Sequence, residues 1–316
     1  MKRFVVAVMA ENVWVQLLFF GILTLMSLFL FSAAGQLLVM LLYGGHALGD
    51  TLDLLRNGGA DGLSAESLPG YTLPILYITQ ISSQIGLFLL PPFLFIRLYR
   101  IANPHSPEWF PKKPTLPAIL LTLPLVILSL PLISWLTDLN MSIPLPDPLI
   151  RAEEDAGALT QIFFHHQTPG RFLVNLLMIA VIPAIGEEFF FRGVLQQQLR
   201  AGLRNPHVAV FITALVFSFF HFQFQGFIPR MFLGLLFGYL MVWSGSVWLP
   251  VAAHFINNGS AVVVEYLSQL GVIRYGYQDF GQYAGIGQVA ISILLTVLVC
   301  MLIRFSGKTD AARRDA

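Results

Sequence analysis

The sequence predicts an all-α, polytopic membrane protein, a bundle of about eight transmembrane helices. Three observations predict it. Apolar residues make up 56% of the 316 residues and charged residues only 11%, against roughly 25% charged in a soluble globular chain. The mean hydropathy is +0.73, and a surface so poor in charge would not stay dispersed in water. The apolar residues come in continuous stretches rather than in alternation, which points to helical spans and away from a membrane β-barrel. A net charge of +1, with no basic tract beyond Lys112-Lys113, argues against disorder and against a nucleic-acid partner. The single cysteine, Cys300, excludes an intrachain disulfide and a thiolate metal cluster.

A span needs about 20 mostly apolar residues. Eight segments qualify: 13–43, 73–96, 115–137, 172–198, 207–223, 229–244, 247–270 and 284–304. Lys2 and Arg3 resemble the start of a signal peptide, but the apolar run Phe4 to Ala10 stops at Glu11 and is too short, so the stretch from Val13 reads as a retained span. That first stretch is longer than a bilayer requires and must tilt or extend past it. Residues 1–171 are leading helices and loops, 172–270 hold the polar clusters, and 271–316 hold the last span and tail, all within one membrane domain.

Loop charges support the count. The connections 97–114 (Arg97, Arg100, Lys112, Lys113 against Glu108) and 199–206 (Arg200, Arg204) are basic, as is the tail with Arg304, Lys308, Arg313 and Arg314 against Asp310 and Asp315. The connections 44–72 (Asp50, Asp53, Asp61, Glu66 against Arg56) and 138–171 (Asp138, Asp147, Glu153, Glu154, Asp155 against Arg151 and Arg171) are acidic. This alternation fits eight spans, and the positive-inside rule places both termini in the cytoplasm. His165 and His166 beside the acids suggest a cation site, but a solvated loop is the preferred reading. Gln80, Ser82, Ser83 and Gln84 in the second span read as polar glue between helices, as does the small-residue pattern Gly234-x-x-x-Gly238.

Between Phe172 and Leu270, four charged residues fall within the spans, Glu187, Glu188, Arg192 and Glu265, with Arg200, Arg204 and Arg230 at their edges. A charge at the bilayer centre costs at least about 2.5 kcal/mol, so each needs a reason. Glu265 reads as a residue near a helix end. Glu188 and Arg192 are four residues apart and share a helix face, so they can pair. Glu187 points about 100° away and is left as the free carboxylate facing the interior, suited to proton transfer near neutral pH. Pro183 and Gly186 allow a kink that admits water. His221 follows Phe217 by one turn, and Asn258 follows His254 by one turn. Glu187 lies 13 residues from Arg200 and His221 lies 14 from His207, about 20 Å along each helix, so the two sit at similar depth.

One carboxylate, two imidazoles and a carboxamide, with no evident Ser or Cys nucleophile, suit hydrolysis by activated water. Glu187 and His221 would activate the water. His254 and Asn258 would donate hydrogen bonds to the oxyanion. The same Glu187, His221 and His254 also have the chemistry of a zinc site with bound water. Spacing does not decide between direct and metal-assisted activation; the preferred reading needs no cofactor. No G-x-S-x-G elbow is present, and no Asp lies in the spans 172–270.

The ordered motifs Glu187-Glu188-x-x-x-Arg192-Gly-x-Leu195, Phe217-x-x-x-His221 and His254-x-x-x-Asn258 resemble those of the CPBP (Abi) intramembrane proteases, which include the type II CAAX prenyl endopeptidases. The resemblance covers about a third of the chain. It implies an eight-helix glutamate-type protease with Glu187, His221, His254 and Asn258 in the active site and Glu188 and Arg192 in support. It further implies a bacterial cytoplasmic membrane protein whose partners are lipid and a peptide or membrane-protein substrate. A non-catalytic immunity or scaffold protein, and a transporter that uses the same cluster as its ion site, are the competing classes. Nothing in the sequence sets an oligomeric state.

Overall fold

A computed structural model describes residues 7–57, 68–103, 113–165, 167–283 and 285–314. Lys2, Arg3, Asp61, Glu66, Glu108, Lys112, His166 and Asp315 lie outside them. Among the described residues the chain is helical with no strand. The long helices are α1 (Val13–Asn57), α2 (Thr72–Ala102), α3 (Leu116–Met141), α4 (Asp147–Phe164) and α5 (Pro169–Leu203). They are followed by α6 (Pro206–Phe219), α7 (Phe227–Ser244), α8 (Trp248–Gln269) and α9 (Ile286–Arg314).

Each of the eight apolar segments lies mainly on a helix, although the segment 207–223 leaves its helix after Phe219. Six of the helices, namely α1, α2, α3, α5, α7 and α9, are long and apolar enough to cross a membrane. The chain is therefore a polytopic all-α membrane protein. Helix α6 is apolar but has only 14 residues. Helix α8 carries His254, Asn257, Asn258 and Glu265 among its apolar residues.

Local signals explain the helix starts. Thr115 Oγ1 accepts from the N–H of Ala118, Thr168 Oγ1 from that of Arg171, and Asn205 Oδ1 from those of His207 and Val208. Each of these caps has a proline in the first turn behind it, where a missing N–H costs nothing. Arg204 (φ 53) and Gly245 (φ 62) end α5 and α7 in the left-handed region, so that each next helix turns straight back.

Three expectations about connections need correction. Residues 44–57 are not an open acidic loop, since α1 continues to Asn57 after a break at Gly44 (φ 83, ψ 158). There Asp50 bonds His46 Nδ1 at 2.8 Å and the Tyr71 hydroxyl at 3.1 Å. Arg97 and Arg100 lie on α2 rather than beyond it. The connection 138–171 contains α4, whose apolar Ala158, Ile162 and Phe164 are buried; its 3.6-residue periodicity was masked by the acids on its other face.

Helix α5 is the central element, with half of its spanning window buried. Its aromatic run packs inward: Phe190 meets Phe20 at 4.7 Å and Phe88 at 5.5 Å between ring centroids, and Phe191 meets Phe217 at 5.2 Å. Of the second-span polar residues, Ser82 and Ser83 act as glue, whereas Gln80 is exposed and Gln84 Oε1 is buried without a partner. Ser83 Oγ lies 3.5 Å from Ser32 Oγ, and Ser82 fills the space beside Gly35. One turn on, α1 approaches Gly86 so closely that a Cβ there would lie 2.8 Å from the main-chain oxygen of Ser27. Backbone cannot swing aside, so Gly86→Ala should lower stability by about 1–3 kcal/mol. Gly21→Ala, with nothing within 4 Å, should be neutral. Thermal unfolding of both variants in detergent checks this; equal melting temperatures would show that the α1–α2 contact is looser than described.

Candidate active site

The site is built on an irregular stretch of α5. Two π-helical turns, Leu176–Val181 and Phe189–Leu195, flank the α-helical turn that carries Glu187 and Glu188. Such turns re-aim side chains and are frequent at functional sites. Between them, Pro183 has no N–H to give to the carbonyl one turn back. The carbonyl of Ile179 instead accepts from Asn258 Nδ2 at 3.0 Å, which ties α8 to α5. Gly186 lets Phe88 of α2 approach, with Phe88 Cβ 3.1 Å from where its own Cβ would be.

Glu188 and Arg192 pair as their spacing implied, Arg192 Nη1 donating to Glu188 Oε1 at 2.8 Å, with both side chains wholly buried. The pair does more than was expected of it. His254 Nδ1 reaches the same oxygen at 2.7 Å, and Arg192 Nη2 donates to the carbonyl of Gly234 at 3.0 Å. Arg192 also lies over the rings of Phe217 (4.6 Å) and Phe237 (5.4 Å), a cation–π arrangement. Three helices thus meet on one guanidinium and one carboxylate.

Sequence reasoning passed over a second layer here. The carbonyl of Gly238 accepts from Gln196 Nε2 at 3.1 Å, one turn beyond the Arg192–Gly234 bond. The two glycines let α7 press against Ala214 and Val210 of α6 while baring carbonyls to Arg192 and Gln196. The signal was Gln196 placed four residues after Arg192, matching the glycine spacing.

Hydrogen-bond roles fix the histidine tautomers. A carboxylate only accepts, so His254 Nδ1 carries a proton. Nε2 then accepts from Asn258 Nδ2 at 3.2 Å, while Asn258 Oδ1 accepts from Asn257 Nδ2 at 3.0 Å. His254 and Asn258 therefore meet as expected, but with their N–H groups engaged within the protein. His221 does not sit inside a helix. It follows the end of α6 at Phe219, in a turn, and its Nδ1 donates to the carbonyl of Phe217 at 2.8 Å. Nε2 of His221 is thereby the nitrogen with the lone pair.

Phe217 is the hub between the imidazoles: its ring centroid is 5.0 Å from that of His221 and 6.1 Å from that of His254. Glu187 is 8% exposed, and its Oε2 is buried without a protein partner. Glu187 and His221 each lie within Coulombic reach of both Arg192 and His254. The structure brings Glu187, Glu188, Arg192, His221, His254 and Asn258 into one neighbourhood. Glu265 stays apart near the end of α8, accepting from Gln269 Nε2 at 2.9 Å and from the N–H of Tyr277.

Both nitrogens of His254 are engaged by Glu188 and Asn258. Among the described residues, no group of three or more His, Cys, Asp or Glu side chains is disposed to hold an ion.

Comparison with known proteins places the same stretch in a family context. Residues 169–260 match the family described as Type II CAAX prenyl endopeptidase Rce1-like, so the resemblance drawn from the three motifs holds over that segment. Among curated proteins the chain is similar to the membrane-embedded CAAX protease MroQ of Staphylococcus aureus (strain USA300), at 28% identity over 101 residues, 30% of this chain and 40% of that protein. It is also similar to the uncharacterized protein YpbD of Bacillus subtilis (strain 168), at 28% identity over 107 residues, 33% of this chain and 49% of that protein. The matched stretch spans less than half the length of either relative. No solved structure gives a significant match.

The burial of the Glu188–Arg192 pair sets an expectation. Glu188→Ala leaves a buried guanidinium without its counter-charge and should cost about 3–5 kcal/mol. Glu187→Gln keeps shape and leaves that pair intact, so its effect on stability should be small. Thermal unfolding in detergent distinguishes the two. Wild-type melting of Glu188→Ala would mean that the pair does not hold the helices together.

Proposed function

We propose that this chain is an intramembrane endopeptidase that hydrolyses a peptide bond with directly activated water. The observation that carries the proposal is a buried carboxylate oxygen, Glu187 Oε2, left without a protein partner beside an ion pair that neutralises the neighbouring Glu188. Arg192 and Glu188 cancel each other, so Glu187 is the group left to take a proton.

In the proposed reaction Glu187, with His221 Nε2, takes a proton from water as its oxygen attacks the scissile carbonyl carbon. The tetrahedral oxyanion is stabilised by His254, whose Nε2 takes up a proton from bulk solvent before the substrate binds and keeps it through the cycle. Nε2 then becomes a donor, and the Glu188 carboxylate beside Nδ1 balances the imidazolium. Asn258, released from Nε2, has an N–H to add. Collapse breaks the C–N bond, the amine leaves with the proton first taken from water, and a carboxylic acid and an amine result. Glu188 and Arg192 orient His254 rather than touch the substrate.

For the substrate we propose the C-terminal segment of a lipid-modified protein, a CAAX-type processing step, on the strength of the family match and the relative named a CAAX protease. The alternation of loop charge supports both termini in the cytoplasm, and the bacterial origin of both relatives supports a bacterial cytoplasmic membrane location.

The test uses the full chain in lipid nanodiscs with a farnesylated CAAX-motif peptide as probe. Wild-type protein should release the terminal tripeptide, and Glu187→Gln should lower the rate by about 10²–10⁴-fold, the usual contribution of a general base. Wild-type nanodiscs no more active than empty ones would overturn the substrate assignment. A Glu187→Gln rate within about twofold of wild type would overturn the mechanism, because a general base is worth far more than that.

A further inference from the structure

Asn140, Glu153 and Arg230 belong to none of the motifs, yet all three act on the same short piece of chain, the one that carries His221. No helix holds that histidine. After Phe219 the chain runs through a turn and a single 3₁₀ turn, Phe224–Gly226, before α7 begins. The residue next to His221, Phe222, has φ +50. For a bulky side chain this is an unfavourable left-handed conformation, and it persists only where the surroundings over-determine it.

Each of three packed elements makes its own contact. From α3, buried Asn140 uses both ends of its amide: Nδ2 donates to the carbonyl of Phe224 at 2.8 Å, and Oδ1 accepts from the N–H of Ile228 at 2.6 Å. From α4, Glu153 Oε1 accepts from the N–H of Gln225 at 2.9 Å. From α7, Arg230 Nη1 donates to Gln223 Oε1 at 2.7 Å and Nη2 to the main-chain carbonyl of the same residue. The guanidinium lies flat against Gly226, where a Cβ would collide with it. Glu153 and Arg230 attract each other across the turn. Ser218 Oγ closes the hairpin by donating to the carbonyl of Phe227 at 2.6 Å. Residues 223, 224, 225, 227 and 228 are thus each pinned by a side chain from elsewhere.

A loop that only joined two helices would not need this. The neighbouring pairs α5–α6 and α7–α8 are joined by a two-residue turn at Arg204-Asn205 and by Gly245-Ser246-Val247, with far fewer such bonds. We infer that Asn140, Glu153 and Arg230 are positioning residues for His221, holding the turn that sets the direction of its imidazole. Helices α3 and α4, which lie outside the family-matched residues 169–260, are therefore part of the catalytic architecture. Glu153 is correspondingly not a residue of a solvated acidic loop but the contact through which α4 holds the site. This inference rests on the hydrolytic function proposed above.

The test compares full-length variants in nanodiscs with the same farnesylated peptide and adds hydrogen–deuterium exchange of residues 221–228. A misplacement of about 1 Å can cost about 10²-fold in rate. Asn140→Ala and Glu153→Ala should therefore lower kcat by about 10- to 100-fold and leave KM within about twofold. Glu153→Gln keeps a carbonyl oxygen for the Gln225 N–H and should retain most of kcat, a rescue that a loss of charge alone would not give. Exchange should quicken in 221–228 in both alanine variants and stay unchanged in α5 and α8. If Asn140→Ala does not fold, the Glu153→Ala and Glu153→Gln pair carries the comparison. Alanine variants with wild-type kcat beside an inactive Glu187→Gln would overturn the inference while leaving the proposed function standing. If wild-type protein does not cleave the probe, the function reading fails on its own, and the exchange arm still decides whether these residues hold the turn: unchanged exchange overturns the inference.

Discussion

The rest of the structure depends on one buried oxygen, Oε1 of Glu188. It accepts from Arg192 at 2.8 Å and from His254 at 2.7 Å, in a region where an ion taken out of water costs several kcal/mol. That cost is met only while both donors stay in place and Arg192 keeps its second contact, the carbonyl of Gly234. Helices α5, α7 and α8 are therefore tied together by polar contacts in addition to the apolar packing of residues such as Phe191, Phe237 and Val251. The same bond gives His254 its tautomer, so the contact that joins the helices also sets the chemistry of the imidazole.

Backbone irregularity is what makes room for this. A regular helix through residues 176–195 would satisfy its own carbonyls and offer nothing to a neighbour. Pro183 breaks that self-sufficiency at Ile179, and Asn258 occupies the freed carbonyl. The π turns on either side displace the aromatic run so that Phe190 and Phe191 face α1, α2 and α6 while Arg192 faces α7. Gly234 and Gly238 answer from the other side, since the absence of a Cβ lets side chains from α5 reach their carbonyls.

Much of this was legible in the sequence. Hydropathy located the six helices that are long and apolar enough to cross a membrane, because burial in lipid demands long uninterrupted apolar runs. The pairing of Glu188 with Arg192 followed from helical spacing, and the isolation of Glu187 followed from the angle between successive residues. Helix α4 was not legible, because its acidic face dominates its composition and its apolar face is short. Nor was the sharing of Glu188 between Arg192 and His254, which joins residues 66 positions apart in sequence. The position of His221 was misjudged by treating residues 207–223 as one helix; the chain leaves the helix at Phe219 with no proline or glycine to announce it. The grip of Asn140 and Glu153 on the His221 turn depends on tertiary contacts across more than 70 residues, and periodicity carries no trace of such contacts.

The central claim is that Glu187 and His221 face a common water. It is tested most directly by an experimental structure of the full chain in lipid, at a resolution that shows ordered solvent. Such a structure should place one water within hydrogen-bond distance of both Glu187 Oε2 and His221 Nε2. A Glu187 carboxylate turned towards lipid, or bonded directly by a protein donor with His221 Nε2 facing elsewhere, would contradict it.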